Sequence, residues 1–252
     1  MSESRIVDIF LTGGFDSSFR AVQLSKMPVT IQPYYVYNRF RSSTGIELSA
    51  IHKITEALKS KSDTLCTFLP LEIINREKLW DPAVNDSYKR LLETDYLAVQ
   101  YVWCGSFGKF LQRGIELSIH DPMIDPIKKY GSLKMVDDPV IGKYYKIDTE
   151  NSSRDIVETF GYSHFPLYGY TKLAMKQVYE ESGCSDIIDM TWFCYNPKTN
   201  PPQPCGDCNP CQFTMKEGLF SRFSPTVTWK YRFKKMMRRC KPLYKIYKSM
   251  NS

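Results

Sequence analysis

No stretch of this 252-residue chain is apolar for long enough to cross a membrane, and its N-terminus lacks the basic, apolar and small-residue succession of a secretory signal. It has no internal repeat and no low-complexity tract, which removes solenoids and compositional linkers from consideration. Acidic residues stop at Glu217; ten of the 34 lysines and arginines lie beyond it, leaving 24 basic against 27 acidic residues before it. The net charge of +7 therefore belongs to a basic tail on a mildly acidic body, not to a uniformly basic protein. These absences predict a cytoplasmic protein with no membrane partner. In a reducing compartment, eight cysteines are poor disulfide candidates, which points to metal binding or catalysis. What remains is ordinary globular material, with 42% apolar and 24% charged residues, long enough for one large α/β domain with a sizeable core.

Apolar, β-branched runs at 6–11, 30–37, 64–71 and 115–119 read as strands. Helical spacing lies between them. Leu48, Ile51, Ile54 and Leu58 share one face, and the apolar stretch from Leu91 to Leu111 reads as one long helix with Gly114 as its C-cap. Strands alternating with helices predict a doubly wound, parallel α/β sheet whose ligands sit beyond the carboxyl ends of the strands. Three regions follow: an α/β domain over 1–190, a cysteine-bearing segment over 191–230 packed on it, and a basic helical tail over 231–252. Within the first, residues 122–168, with Pro122, Pro126, Asp137-Asp138-Pro139 and Gly142, read as an irregular insertion on the substrate side.

The first strand runs directly into TGGFDSS, residues 12–18. Glycines at 13 and 14 allow a tight turn with several N–H groups aimed at one point, and Asp16-Ser17-Ser18 read as the cap of the helix that follows. Such a strand, glycine turn and helix N-terminus cradle an anion. The same residues also suit a βα turn that needs glycine only for its geometry, and both readings stand at this level.

Near the other end, Cys194, Cys205, Cys208 and Cys211 lie within TWFCYNPKTNPPQPCGDCNPC. Two consecutive C-x-x-C steps put three thiolates on tight turns, and the proline-rich excursion lets Cys194 close a fourth corner. Four soft donors predict a structural zinc ion with no open coordination position; an iron–sulfur cluster and a redox pair are the competing readings. Cys66, Cys104 and Cys184 read as core thiols, and Cys240 has no assigned role.

Taken together, these motifs resemble those of a known family. With Thr12 in place of the usual serine, TGGFDSS resembles the SGGxDS motif of the PP-loop ATP pyrophosphatases. Thr191-Trp192-Phe193-Cys194-Tyr195 with Cys205-Gly206-Asp207-Cys208 is similar to the C-terminal segment of 7-cyano-7-deazaguanine synthases. Glu47-Leu48 and Pro166-Leu167 followed by Lys172 match two connecting pieces of that family, so the resemblance runs in patches from about residue 5 to about 230. Two substrate-side segments depart from it, YLAVQYVWCG and SIHDPMIDPIKKYG, which marks a divergent paralogue.

The resemblance implies an AMP-forming ligase that uses ATP and Mg2+ to adenylate the carboxylate of 7-carboxy-7-deazaguanine. An amine then attacks: ammonia, giving the amide or nitrile, or an amino group of a partner protein, giving a conjugate of the kind expected from synthase-like paralogues in antiviral loci. It further implies that Thr12, Gly13, Gly14, Phe15, Asp16, Ser17 and Ser18 hold ATP, that Asp16, Ser17 and Lys172 serve catalysis, and that Glu47 lies near the pocket; His120 and Asp121 are placed toward the substrate by their position directly after the fourth strand, at the edge where such sheets bind ligands. A homodimer is compatible with it. Trp192 and Tyr195 either stack on the deazapurine or pack the zinc loop.

A second class of function is a tRNA-modifying PP-loop enzyme that binds nucleic acid through WKYRFKKMMRRCKPLYKIYK, where cations alternate with aromatics. Against it, the helical spacing favours a stripe of Trp229, Phe233, Met237, Cys240 and Tyr244 packed inward with the lysines in water.

Overall fold

Strand β1 (Ile6–Phe10) is buried at every position but its first. The computed structural model, which describes residues 5–121 and 124–239, pairs it in parallel with β2 (Thr30–Tyr37), Ile6 opposite Thr30 and Phe10 opposite Tyr34. A strand with neighbours on both edges and cover on both faces reads as an unbroken apolar run, and IVDIF does so but for Asp8. Asp8 is buried because Arg113 clasps it at 2.6 and 2.8 Å and the Tyr34 hydroxyl donates to it at 3.0 Å.

Helix α1 (Phe15–Ser25) follows β1, and α2 (Thr44–Ser60) follows β2. Ile51, Ile54 and Leu58 of α2 are buried as their spacing predicts, whereas Leu48 is only half-buried and Glu47 takes the covered position. The single strand predicted over 64–71 is two short ones, β3 (Thr67–Phe68) and β4 (Glu72–Asn75), both parallel to β2. The gap falls at Pro70, opposite Gln32 and Pro33. A proline has no N–H to offer a ladder, so the Gln32 side-chain amide donates instead to the carbonyls of Pro33 and Pro70, at 3.2 and 3.1 Å.

The long helix predicted over Leu91–Leu111 is also two elements, α3 (Pro82–Leu92) and α4 (Gln100–Leu111). Thr94 turns its hydroxyl back onto the Leu91 carbonyl at 3.0 Å, and Tyr88 donates to the Leu97 carbonyl at 2.8 Å, so side chains hold the linker where the helical bonds end. Gly114 is not the cap. Gln112 takes the left-handed conformation there, and Gly114 is instead the place where the His164 ring lies, 2.0 Å from where a Cβ would stand.

Strand β5 (Ile115–Glu116) is shorter than the predicted 115–119, because Ile119 turns back onto the Leu117 carbonyl at 2.8 Å. The stretch 122–168, read as irregular, carries regular structure among its described residues. It contains α5 (Asp125–Tyr130), the antiparallel strands β6 (Ser132–Asp138) and β7 (Gly142–Asp148), α6 (Arg154–Phe160) and β8 (Ser163–Phe165). The prolines and acids that suggested a loop make the hairpin turn: Asp138 accepts from the N–H groups of Val140 and Ile141, and Gly142 has φ +73°. Lysines at 134, 143 and 146 interrupt the apolar alternation on strands that are half solvated. Pro122 lies outside the described residues.

Helices α7 (Lys172–Glu181) and α8 (Ser185–Met190) complete a first unit that ends at Trp192. Its sheet runs β3-β2-β1-β5-β8-β7-β6, with β4 also on β2; the strands from β3 to β8 are parallel, and the β6–β7 hairpin is antiparallel. This is an α/β fold with a mostly parallel central sheet, compatible with a doubly wound arrangement. In its core Arg20 of α1 meets Glu116 of β5 in a two-pronged pair at 2.8 and 2.7 Å, with side chains 3% and 2% exposed.

The second unit runs on from Phe193 and takes in Arg41–Ser43. It contains α9 (Asn209–Lys216) and α10 (Pro225–Arg239). The inward stripe predicted for the tail is not seen at Trp229, which is 63% exposed; Cys240 and Tyr244 lie outside the described residues. No helix among the described residues is long and apolar enough to cross a membrane.

Candidate functional site

The turn after β1 begins at Thr12. Gly13 has φ +68°, and a Cβ there would stand 2.9 Å from the Glu47 carbonyl oxygen and 3.0 Å from the Ala50 Cβ of α2. Both the backbone angle and the close helix require glycine. Gly13→Ala should lower the unfolding temperature by the equivalent of at least about 1–2 kcal/mol, the strain of a left-handed side chain, with the displacement of α2 added. An unchanged melting curve would show that the turn tolerates a side chain.

The cap of α1 is Gly14, not Asp16-Ser17-Ser18, which form its first turn. Glycine supplies no capping oxygen, so the N–H groups of Phe15, Asp16 and Ser17 have no intrahelical partner and point out of the helix end, while the Ser18 N–H makes the first helical bond, to the Gly14 carbonyl at 3.0 Å. The Ser17 hydroxyl braces the turn from within, lying 3.2 Å from the Thr12 N–H, 3.1 Å from Thr12 Oγ1 and 3.4 Å from the Gly14 carbonyl. Ser18 Oγ is fully buried and has no hydrogen-bond partner among the described residues.

Lys172, far along the chain, arrives at this turn. Its Nζ donates to both oxygens of Asp16, at 2.9 and 3.0 Å, and lies 5.2 Å over the Phe15 ring. His120 Nδ1 is 3.5 Å from Asp16 Oδ2. Burial pushes the Asp16 carboxyl up, but the Lys172 ammonium and the hydrogen bond to His120 outweigh it and hold it down at about 2. The pair is therefore intact above the ordinary carboxylate range and is lost only as pH falls toward 2. Lys172 is the first residue of α7, where a cation opposes the helix dipole. Asp16 offsets that conflict, and such a conflict between local preference and tertiary position is typical of functional sites.

The remaining candidates divide. Glu47 touches the loop through its carbonyl, while its carboxylate is 4% exposed with the residue and accepts from the Tyr35 hydroxyl at 2.7 Å. Asp121 follows His120 past the end of β5, and its buried Oδ1 has no partner among the described residues. Trp192 donates its backbone N–H to the Gly13 carbonyl at 2.8 Å, tying the end of the first unit to the glycine turn. Tyr195 belongs to the second unit, where Arg41 lies 4.3 Å over its ring.

One group was not singled out from the sequence. Beyond the carboxyl ends of β2 and β4, Arg39 lies 4.7 Å and Arg76 5.6 Å from the ring of Phe40, which is 70% exposed. Arg76 also lies 4.9 Å over Trp103. The signal available was an Arg-Phe pair directly after a parallel strand, where such sheets bind ligands.

In the second unit Cys194, Cys205, Cys208 and Cys211 bring their four sulfurs within 4.8 Å of one another, with two pairs at 3.9 Å. A tetrahedral ion with bonds of about 2.3 Å needs sulfurs about 3.8 Å apart, so the donor set and its size could hold a metal such as zinc. Backbone N–H groups of Cys205, Asp207 and Cys208 point at these sulfurs, at 3.2 to 3.4 Å. Gly206 has φ +79° and lies against Val227 of α10, closing the turn between two of the thiols. Hydrogen bonds from Cys194 and Cys211 push the Cys208 thiol far down, while Cys194 is pushed up to about 12. Elsewhere, Cys184 is buried and Cys66 and Cys104 are half-buried, all three with free thiols. Compared with models of known protein families and with curated proteins, the chain matches none.

Proposed function

We propose that the first unit is a PP-loop ATP-binding domain and the protein an AMP-forming ligase that adenylates a 7-deazaguanine carboxylate for attack by an amine. The observation that carries this reading is the meeting of Lys172 with Asp16 of the glycine turn at 2.9 Å. A helix end with open N–H groups and a lysine at its rim suits a triphosphate better than a turn needed only for geometry would. Support on the substrate side comes from Arg39, Phe40, Arg76 and Trp103, which offer cations and ring faces to a planar anion.

In the reaction proposed, a carboxylate oxygen attacks the α-phosphorus of ATP and pyrophosphate leaves, giving an acyl adenylate. The amine then attacks the acyl carbon and AMP leaves. The first-turn N–H groups and Lys172 offset charge on the departing pyrophosphate, and Asp16 and Ser17 keep the turn in shape. Magnesium, when bound, would neutralise phosphate charge; Asp121 is the residue suited to it, since both oxygens of Asp16 face Lys172. The metal proposed for the four cysteines is zinc in a structural role. The acceptor proposed is a protein amine rather than ammonia, because the two segments that depart from the synthase pattern lie on the substrate side.

Incubation with ATP, magnesium, 7-carboxy-7-deazaguanine and an amine should yield AMP and pyrophosphate, resolved by chromatography. Asp16→Ala and Lys172→Ala should lower the rate at least about 100-fold, the usual effect of losing a group that stabilises transition-state charge. ADP and orthophosphate as products would overturn the assignment. Complete conversion with ammonia to the nitrile, at the rate of ATP consumption, would overturn the protein acceptor alone.

A further inference from the structure

Helix α10 carries six lysines and arginines and no acidic residue. Asp207 answers one of them, 3.2 Å from Lys234, and turns its other oxygen toward Lys198. Lys230, Arg232 and Lys235 have no acidic partner among the described residues. Aromatic rings are set among these charges. Trp229 is 63% exposed and stacks on Phe233, the ring centres 5.3 Å apart and the planes 13° from parallel. The Arg232 guanidinium lies 5.2 Å over Phe220, whose ring also meets Tyr231 at 5.9 Å. Between the helix and the turn before it is a cleft of about 410 Å3, lined by Phe220, Phe223, Pro225, Thr228, Trp229 and Arg232.

An exposed tryptophan on a helix free of acidic residues calls for a partner that is both planar and anionic. Coulomb attraction would draw any polyanion, but stacked rings and a guanidinium over a ring select flat groups repeated along it. Membrane-binding helices separate a wide apolar face from a basic one. Here Arg232 and Thr228 line the same cleft as Trp229, so charge and ring share one face. That mixture is how proteins hold single strands without regard to sequence, the bases on aromatic faces and the phosphates on neighbouring cations. We propose that this face of the second unit binds single-stranded nucleic acid, with bases stacked on Trp229 and in the cleft beside Phe220, and phosphates on Lys230, Arg232 and Lys235.

The test is fluorescence anisotropy of a labelled twelve-nucleotide thymidine strand with the full chain, titrated at salt concentrations from about 50 to 200 mM. Binding should weaken as salt rises. Trp229→Ala should weaken it by about 5- to 100-fold at any one salt, whereas Trp229→Phe should keep most of it. Arg232→Gln should flatten the logarithmic salt dependence by roughly 0.7, the value of one phosphate contact on a single strand. Unchanged metal content and melting temperature in each variant separate lost contacts from lost folding. The proposal is overturned if no binding is seen at low salt up to about 100 µM protein, the weak end of non-specific affinity. It is equally overturned if Trp229→Ala and Arg232→Gln bind as the parent does, or if polyglutamate or phosphatidylserine vesicles occupy the face and the oligonucleotide fails to displace them.

Discussion

Stripping the metal from the four-cysteine centre should unfold the second unit while leaving the first folded. Metal analysis should find one zinc per chain, and a strong chelator should abolish amide-exchange protection across residues 193–217. A structural zinc site contributes on the order of 10 kcal/mol to the peptide that holds it, more than a segment with so little core can replace. The four sulfurs are mostly buried and lie within 4.8 Å of one another, so without an ion they are four crowded thiols with nothing to bind them together. Cys208→Ser should have the same effect in milder form, since three ligands and a water still bind. Iron in place of zinc would overturn the identity of the metal, and protection that survives chelation would show that the centre is not what holds this unit.

Glu116→Ala should be the most damaging single substitution in the first unit. It leaves the Arg20 guanidinium, 3% exposed, with only the Ile141 carbonyl at 3.3 Å and the Gln23 side chain at 3.3 Å. Breaking one side of a buried pair costs about 3–5 kcal/mol, or roughly 10 °C of melting temperature in a chain of this size. Replacing both residues, Arg20→Met with Glu116→Leu, should recover most of the loss, because no charge is then left without a partner. Thermal unfolding of the single and double variants decides the matter. A double variant no better than the single one would mean that the pair is irreplaceable in this core.

The parallel sheet, the glycine turn and the cysteine cluster were legible in the sequence because each is written in consecutive residues. Ile6–Phe10 is apolar but for Asp8, and the C-x-x-C steps fix their own spacing. What was not legible depends on contacts between distant residues. Nothing near Lys172 says that it meets Asp16, and only the resemblance singled it out. Nothing near Arg20 or Glu116 says that the two charges meet between α1 and β5. The β6–β7 hairpin was hidden because lysines break the apolar alternation of its half-solvated strands, and its Asp-Pro turn looked like part of a loop. The tail misled in the opposite sense: helical spacing of aromatics argued for an inward stripe, yet Trp229 faces water. Periodicity says that a face exists, not what covers it.

The bond from the Trp192 N–H to the Gly13 carbonyl has a consequence for synthesis. During translation the glycine turn is made well before the strands that flank β1 on one side and before Trp192, which ties the turn. Contacts of such long sequence separation form last, since the loops they close are the most costly to order. A nascent chain, or one cut short before Trp192, would carry the whole TGGFDSS sequence without the bond that fixes its turn.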